Sequence, residues 1–335
     1  MSDNHSKVAG RVNLRDNIMK YISFSTIVIL LIFFSVQHPN FLGQANLKNL
    51  LSDSAPLMIM AAGMTSVLLL GSIDLSMGAV CSVANVLTVL IINEVGPDLN
   101  SGGLTILLAV LACLLFGGLA GLLLGTIHVK FKVPSFIASL GFMSMWQSVA
   151  LLITPAPVSV GKEMWNSIEW YRISFFDIVG LPLILALVWI IAIFLFQRRT
   201  GTGRAIYAIG GNERAGRLAG LSVDRTKINV FIVSGMCAAM GGLFLAANLR
   251  SSAPTMGDPF TLLIVASVAL GGTSLIGGRG GVLGTIIGVF TVSIINNGMN
   301  FIGIGAYWQS IVFGLFILAA VAISIDRSTR GLVVK

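Results

Sequence analysis

The chain has 335 residues, of which 56% are hydrophobic and 10% are charged, and its formal net charge is +8. A soluble domain usually carries about 25% charged residues, so this chain has too few polar side chains to cover a soluble globule of its size. Apolar runs of bilayer-spanning length recur along it, and they predict an all-α polytopic membrane protein.

We predict about ten transmembrane helices in a single domain that covers the whole chain, 1–335. Their expected ranges are 19–37, 54–71, 76–93, 103–127, 134–153, 178–196, 228–249, 259–276, 281–300 and 307–325. Only the sequence SIDLS separates the second from the third, so either could be a broken or re-entrant helix. The basic N-terminal segment and the apolar run after it are similar to a signal peptide, but no small-residue cleavage site follows. An uncleaved first span is therefore expected.

The basic residues predict the orientation of these helices. With the N-terminus in the cytoplasm, seventeen of the twenty-one Lys and Arg residues lie on the cytoplasmic side, as the positive-inside rule requires. Both termini are then cytoplasmic, with an N-terminal tail at 1–18, a central loop at 197–227 and a C-terminal tail at 326–335. Topology accounts for the positive charge, so we expect contact with membrane lipid and no nucleic-acid binding.

The sequence GSIDLSMG, from Gly71 to Gly78, contains Asp74 at the edge of an apolar tract. Acidic residues near membrane depth are costly and are often functional, so a proton or cation site is one interpretation. The other is that Asp74 lies at the cytoplasmic rim and caps a helix that starts at Ser76. The predicted topology favours the cap.

Glycines recur at four-residue spacing in two of the predicted spans. They are Gly117, Gly121, Gly125, Gly280, Gly284 and Gly288. Such ridges let helices approach closely in lipid, so we predict close helix packing there and no chemistry.

The central loop, 197–227, carries seven basic and two acidic residues and a predicted short helix from Glu213 to Leu218. Asn212 is a favourable N-cap, Glu213 suits the first turn, and Ala219-Gly220 ends the helix. Small residues would let another protein approach closely: Ala215, Gly216, Ala219 and Gly220. The alternative is a basic loop that only fixes the topology.

The chain lacks the motifs of a nucleotide site or a catalytic centre. The glycine-rich sequence GGTSLIGGRGG, from Gly271 to Gly281, is not a phosphate-binding loop, because no G-x-x-x-x-G-K-[ST] occurs in the chain. The three cysteines lie in apolar runs without metal-ligand spacing, so no metal site is expected. Catalytic motifs are absent too, and we expect no enzyme.

Polar side chains within the predicted spans are candidates for lining a pathway for a neutral polyol. They are Asn85, Gln147, Asn296, Asn300 and Gln309, with Asn297 beside them. Interhelical hydrogen bonds use the same groups, and for any single residue that structural role is favoured.

Three of these segments together resemble one known family. GSIDLSMGA is similar to the signature of ribose/xylose-type sugar permeases of ATP-binding-cassette importers. The segment RRTGTGRAIYAIGGNERAGRLAGLSVDRTKI resembles their central cytoplasmic loop, and VASVALGGTSLIGGRGGVLGT resembles their glycine-rich segment. The resemblance extends over roughly residues 20 to 325, with the motifs in the same order.

The resemblance implies a type II-like importer permease in a bacterial inner membrane. Such a subunit pairs with a second permease copy or paralogue, takes a monosaccharide or related polyol from a periplasmic sugar-binding protein, and is driven by a cytoplasmic ATPase. ATP and Mg would bind to that ATPase, and this chain would bind no cofactor. The loop helix would dock on the ATPase through Asn212, Glu213, Ala215, Gly216, Ala219 and Gly220.

A self-sufficient secondary transporter, coupled to protons or sodium through Asp74, is the alternative. Such transporters place ionisable groups deep within their spans, and here only Asp74 qualifies.

Overall fold

The computed structural model describes residues 25–324 of the chain. Its helices are Ser25–Gln37 (α1), Gln44–Leu69 (α2), Met77–Leu90 (α3), Gly96–Leu99 (α4), Gly102–Lys130 (α5), Ser135–Ile153 (α6), Leu181–Arg199 (α7), Gly201–Gly211 (α8), Glu213–Leu218 (α9), Val223–Leu249 (α10), Asp258–Leu270 (α11), Val282–Phe301 (α12) and Ala306–Ser324 (α13). A π-helical turn, Ile91–Val95, joins α3 to α4.

Between α6 and α7 lie two 3-10 helices, Lys162–Ser167 and Glu169–Arg172. Four short strands form two antiparallel pairs: Val158–Ser159 (β1) with Ser251–Ser252 (β4), and Ser174–Phe175 (β2) with Val179–Gly180 (β3). No closed sheet occurs among the described residues. The predicted all-α polytopic class is confirmed.

Within residues 25–324, seven helices are long and apolar enough to cross a membrane: α2, α3 continued to Leu99, α5, α6, α7, α10 and α12. The shorter apolar helices α1 and α11, together with α13, coincide with the other three predicted spans. The number of ten spans and their orientation stay predictions. The predicted tails, 1–18 and 326–335, and residues 19–24 and 325 of the predicted spans lie outside the described part of the chain.

Several helix ends differ from the predicted span limits, and the largest difference is at α2, which begins at Gln44 and not at 54. Helix α11 ends at Leu270 and not at 276, because Gly272 has φ of +80° and turns the chain out of the helix. Helix α7 continues to Arg199, and α10 begins at Val223. The segment between these two helices is therefore 200–222, and the predicted cytoplasmic loop 197–227 includes the ends of both helices.

Helices α2 and α10 form the centre of the bundle. In α2 and in α10, 83% of the most apolar 18-residue stretch is buried inside the protein. The buried share of the corresponding stretch is 33% in α5, 22% in α6 and 33% in α7. Helix α10 packs against α2, α3 and α5. The apolar side chains on the outer faces of α5, α6 and α7 are exposed, as expected for surfaces that contact lipid.

The predicted glycine ridges are sites of close packing. A Cβ atom on Gly121 in α5 would lie 2.6 Å from the carbonyl carbon of Phe231 in α10. One on Gly288 in α12 would lie 2.7 Å from the amide nitrogen of Gly271, just after α11. Only Gly280 departs from the pattern, since it lies before α12 in the loop. The small residues therefore bring backbones together, as predicted.

We expect Gly121→Ala to destabilise the bundle by about 1–3 kcal/mol, because the added methyl group overlaps the Phe231 carbonyl. Gly141→Ala in α6 is the matched control, since a Cβ there would have nothing within 4 Å. It should be neutral or stabilising by up to about 1 kcal/mol. Thermal unfolding in detergent measures both, and equal melting temperatures would contradict the close contact.

Candidate functional site

Helices α8 and α9 connect α7 to α10, and we call this segment, 200–222, the arm. Thr200 caps α8, because its hydroxyl accepts a hydrogen bond from the Gly203 amide at 2.9 Å. Asn212 caps α9, because its side-chain oxygen accepts from the Ala215 amide at 2.9 Å. The predicted cap and the predicted bounds of α9 are both confirmed.

The C-terminal end of α9 is also closed by backbone hydrogen bonds. Gly220 has φ of +80°, and its amide donates to the Arg217 carbonyl at 3.1 Å. The Leu221 amide donates to the Gly216 carbonyl at 3.1 Å. This pair of bonds is the Schellman motif, so α9 is a short helix with both ends satisfied.

Helix α8 was not predicted. It contributes the buried residues Ala205, Ile206 and Ile209 to the interior, and it packs against α2, α7, α9 and α10. The signal was present in the sequence, because Thr200 is a good N-cap and the three apolar residues recur at helical spacing. Four glycines in eleven residues obscured it, since glycine is unfavourable inside helices.

Exposed ion pairs connect α9 to the first turns of α10. The Lys227 ammonium contacts the Glu213 carboxylate at 2.8 Å, and Arg217 contacts Glu213 at 3.3 Å and Asp224 at 3.0 Å. The hydrogen bond from Lys227 lowers the pKa of Glu213 below its usual value, Arg217 adds to this, and partial burial opposes it. Exposed pairs contribute little stability individually, so their main effect is on the orientation of α9.

The expectation that Gly216 faces a partner was wrong. Gly216 is buried, and a Cβ there would lie 3.4 Å from Cγ1 of Ile209 and 3.6 Å from Cδ1 of Leu221. The face of α9 that contains Gly216 therefore packs on the chain's own α8 and on the segment after α9. Which face points outward depends on α8, which the sequence interpretation had missed.

The outward surface of α9 consists of other residues. Ala215, Ala219 and Gly220 are exposed, as predicted, and Leu218, which was not singled out, is 83% exposed. Asn212 and Glu213 are exposed too, but their side chains are engaged in the cap and the ion pairs. Leu218 is therefore the large apolar side chain that α9 presents outward, beside the small residues Ala215 and Ala219.

Asp74 lies fully inside the protein, at 1% exposure. One carboxylate oxygen accepts from the Ser76 amide at 3.0 Å and from the Ser76 hydroxyl at 2.6 Å. The other accepts from the Ser234 hydroxyl of α10 at 3.1 Å. The bond to the Ser76 amide closes a turn just before α3, so the prediction that Asp74 caps this helix was wrong: the N-cap is Ser76, and no side chain caps the helix, which starts at Met77. The bond to Ser234 could not be predicted.

The glycines of the same motif make backbone contacts. Gly78 packs against Gly257, the residue before α11, and Gly71 has φ of +72°. The GSIDLSMG segment is therefore a tightly packed turn between α2 and α3 that reaches α10 through Asp74 and α11 through Gly78. Its position relative to a bilayer rim stays a prediction.

The candidate pathway residues fall into two groups, and no hydrogen bond connects them in the described part of the chain. Asn85 accepts from the Ala253 amide at 3.0 Å, and Gln147 donates to the Pro254 carbonyl at 3.2 Å. Asn300 donates to Asn296 at 3.0 Å, and Gln309 donates to Asn300 at 2.7 Å. Asn297 exchanges two hydrogen bonds with Asn46, at 2.9 and 3.0 Å.

These amides are thus engaged in holding backbone or each other. A pathway role for Asn85, Gln147, Asn296, Asn300 and Gln309 stays a prediction. No group of three or more His, Cys, Asp or Glu side chains that could hold a metal ion occurs in residues 25–324.

Comparisons with known proteins agree over almost the whole chain. The family described as "Branched-chain amino acid transport system / permease component" matches residues 46–321. The chain is 36% identical over 311 residues to the ribose import permease protein RbsC of Escherichia coli (strain K12), covering 91% of this chain and 94% of that protein. No solved structure matches it.

Two further relatives cover similar lengths. The probable ABC transporter permease protein YphD of Escherichia coli (strain K12) is 33% identical over 328 residues, 96% of this chain and 95% of that protein. The galactose/methyl galactoside import permease protein MglC of Haemophilus influenzae is 30% identical over 312 residues, 90% of this chain and 92% of that protein.

We expect Asp74→Ala to lower the stability of the fold by about 1–3 kcal/mol, because it leaves the Ser76 amide and the Ser234 hydroxyl without their buried acceptor. Ser234→Ala removes a single bond and should cost less, about 0.5–1.5 kcal/mol. Melting temperatures of the purified variants measure both effects. A larger loss for Ser234→Ala would contradict the central role of the carboxylate.

Proposed function

The chain belongs to the family of branched-chain amino acid transport system permease components and is the permease subunit of an ATP-binding-cassette importer; we propose that its cargo is a monosaccharide. It is a transport subunit and not an enzyme. The relatives RbsC and MglC are import permeases for ribose and for galactose and methyl galactoside, by their names. Because these relatives match 91% and 90% of the chain, they support a sugar as the cargo rather than the amino acids named in the family's description.

We further propose that the ATPase subunit docks on the outward surface of α9. The observation that carries this proposal is the structure of α9 itself: a helix closed at both ends, tied to α10 by ion pairs, that leaves Leu218 83% exposed between Ala215 and Ala219. An importer whose permease has no nucleotide motif needs a rigid surface on which the ATPase can act. ATP and Mg belong to that partner in this proposal.

The assembly and the topology follow the family resemblance. We propose ten spans with both termini in the cytoplasm of a bacterium, a multi-pass location in the inner membrane, a second permease copy or paralogue, and a periplasmic sugar-binding protein. The distribution of Lys and Arg supports the orientation, and the seven long apolar helices support repeated crossing.

The alternative of a secondary transporter working through Asp74 is not favoured. Family membership opposes it. So does the site, because three hydrogen bonds from Ser76 and Ser234 already surround the Asp74 carboxylate.

Docking through α9 predicts that Leu218→Asp and Ala215→Trp leave an inserted, folded protein that no longer co-purifies with its ATPase. Disrupting a tight apolar contact costs about 1–3 kcal/mol, which weakens association by roughly one to two orders of magnitude. Gly216→Ala is the matched control in the same helix, because its methyl group would face Ile209 within the chain at an ordinary contact distance. The proposal fails if both surface variants retain the ATPase.

Transport predicts ATP-driven uptake of a labelled sugar into proteoliposomes that contain this chain, its ATPase and its binding protein. Uptake should survive a protonophore while ATP is present, because no proton gradient is used. Ribose, galactose and leucine, offered separately, distinguish the cargo classes. Uptake of leucine alone would overturn the sugar proposal, and uptake by this chain alone under a pH gradient would restore the secondary-transporter alternative.

A further inference from the structure

Three segments that are distant in the sequence meet in the fold at glycine residues. Gly71 follows α2, Gly210 lies in the last turn of α8, and Gly277 and Gly278 lie in the loop between α11 and α12. We call this meeting point the glycine junction. Its backbones are hydrogen-bonded, since the Gly278 amide donates to the Leu69 carbonyl at the end of α2 at 2.8 Å.

The glycine junction has no room for side chains. A Cβ on Gly210 would lie 2.7 Å from the Gly278 nitrogen and 2.9 Å from the Leu69 carbonyl carbon. One on Gly277 would lie 2.8 Å from the Gly71 nitrogen and 2.9 Å from the Gly210 oxygen. These separations are shorter than van der Waals contact, so the arm, the end of α2 and the α11–α12 loop touch backbone to backbone.

The backbone conformation also requires glycine at three of the four positions. Gly71, Gly277 and Gly278 have φ of +72°, +102° and +75°, values that glycine adopts without steric cost and other residues rarely adopt. Gly210 is helical, and its requirement for glycine is due to contact alone. These two causes can be separated experimentally.

Backbone contacts transmit displacement differently from side-chain contacts. The ion pairs of Glu213, Arg217 and Lys227 also connect the arm to the bundle, but long, flexible side chains can follow a movement by changing rotamer. Packed backbones have no such freedom, and close-packed contacts transmit strain. A shift of α8 must therefore move the Leu69 carbonyl and the Gly278 amide with it, or break their contact.

Within the arm, α8 directly precedes α9, the helix on which the partner would act. Only Asn212 separates α8 from α9. On the other side of the glycine junction, Gly71 is three residues before Asp74, and the α11–α12 loop joins two apolar helices. The contact thus lies between the proposed docking surface and the interior of the bundle.

We propose that the glycine junction makes the arm, the end of α2 and the α11–α12 loop move as one body, so that a displacement of α9 by the ATPase reaches the bundle through Gly71, Gly210, Gly277 and Gly278. This inference rests on the proposed docking of the ATPase on α9. It assigns these glycines a positioning role in transport and no contact with the cargo.

Two matched pairs of variants test it in the full importer. Gly210→Ala is compared with Gly211→Ala, because a Cβ on the neighbouring Gly211 would have nothing within 4 Å. Gly278→Ala is compared with Gly272→Ala in the same loop. Gly272 has a similar φ of +80° but open space around it, so this pair keeps the backbone strain and removes the contact.

We expect Gly210→Ala and Gly278→Ala to retain ATPase co-purification while sugar uptake and sugar-stimulated ATP hydrolysis fall by about tenfold or more, since overpacking a tight contact has an effect of this order. Gly211→Ala should transport normally, and Gly272→Ala should transport at least about tenfold better than Gly278→Ala.

Equal uptake within each pair overturns the proposed role of the glycine junction. Loss of ATPase association in Gly210→Ala overturns it also, because the glycine would then shape the docking surface. Failure of the proposed function itself is distinct, since the unsubstituted chain would then bind no ATPase.

A distance measurement decides the matter if the alanine variants do not fold. Spin labels on Gly211→Cys and Ile276→Cys report across the glycine junction, at positions with open space and 69% exposure respectively. The native cysteines Cys81, Cys113 and Cys237 are buried and should stay unlabelled. A reference pair, Gly211→Cys with the 83% exposed Leu152→Cys, reports movement of the arm relative to α6.

In the assembled importer, trapping ATP should change the reference distance and leave the junction distance unchanged. A junction distance that changes with ATP, or a reference distance that does not, overturns the proposal.

Discussion

Close approach of helix backbones at glycine is the constraint on which the rest of this structure depends. Helices in lipid gain little by hiding apolar side chains from the hydrocarbon, so packing and hydrogen bonding between them must supply the association. The centre of the bundle shows this, since Gly117 in α5 meets Gly235 in α10, and Gly242 in α10 meets the Cys81 carbonyl in α3. Helix α10 can contact three neighbours because its small residues face them.

Local chemistry was predictable from the sequence, and non-local contact was not. The bounds of α9 could be predicted because Asn212 and Gly220 act on their own helix. The end of α11 could not, because hydropathy counts the apolar side chains as far as Ile276 and ignores the positive φ of Gly272. Gly216 was placed on the wrong face because its surroundings come from α8.

The amides illustrate the same limit within the spans. Their positions were visible in the sequence, but their partners were not, since Asn46 and Asn297 are 251 residues apart. Each of these side chains makes at least one hydrogen bond within the protein, as is typical of amides between helices in lipid. A cargo with hydroxyl groups would have to replace such a bond, for example that between Asn300 and Gln309, and replacement of like by like costs little.

Asp74 shows why burial of an acid in a transporter does not by itself indicate ion coupling. A coupling carboxylate must release one partner and accept another during each cycle, so at least one of its donors must be mobile. The donors here are the amide and hydroxyl of Ser76, at the start of α3, and the hydroxyl of Ser234, inside α10. Ser76 lies at the N-cap of α3 and Ser234 lies inside α10, and removing any of these donors would leave the buried carboxylate poorly satisfied. The carboxylate therefore acts as a bridge between α3 and α10. Such a structural bridge is consistent with a permease that is driven by a separate ATPase.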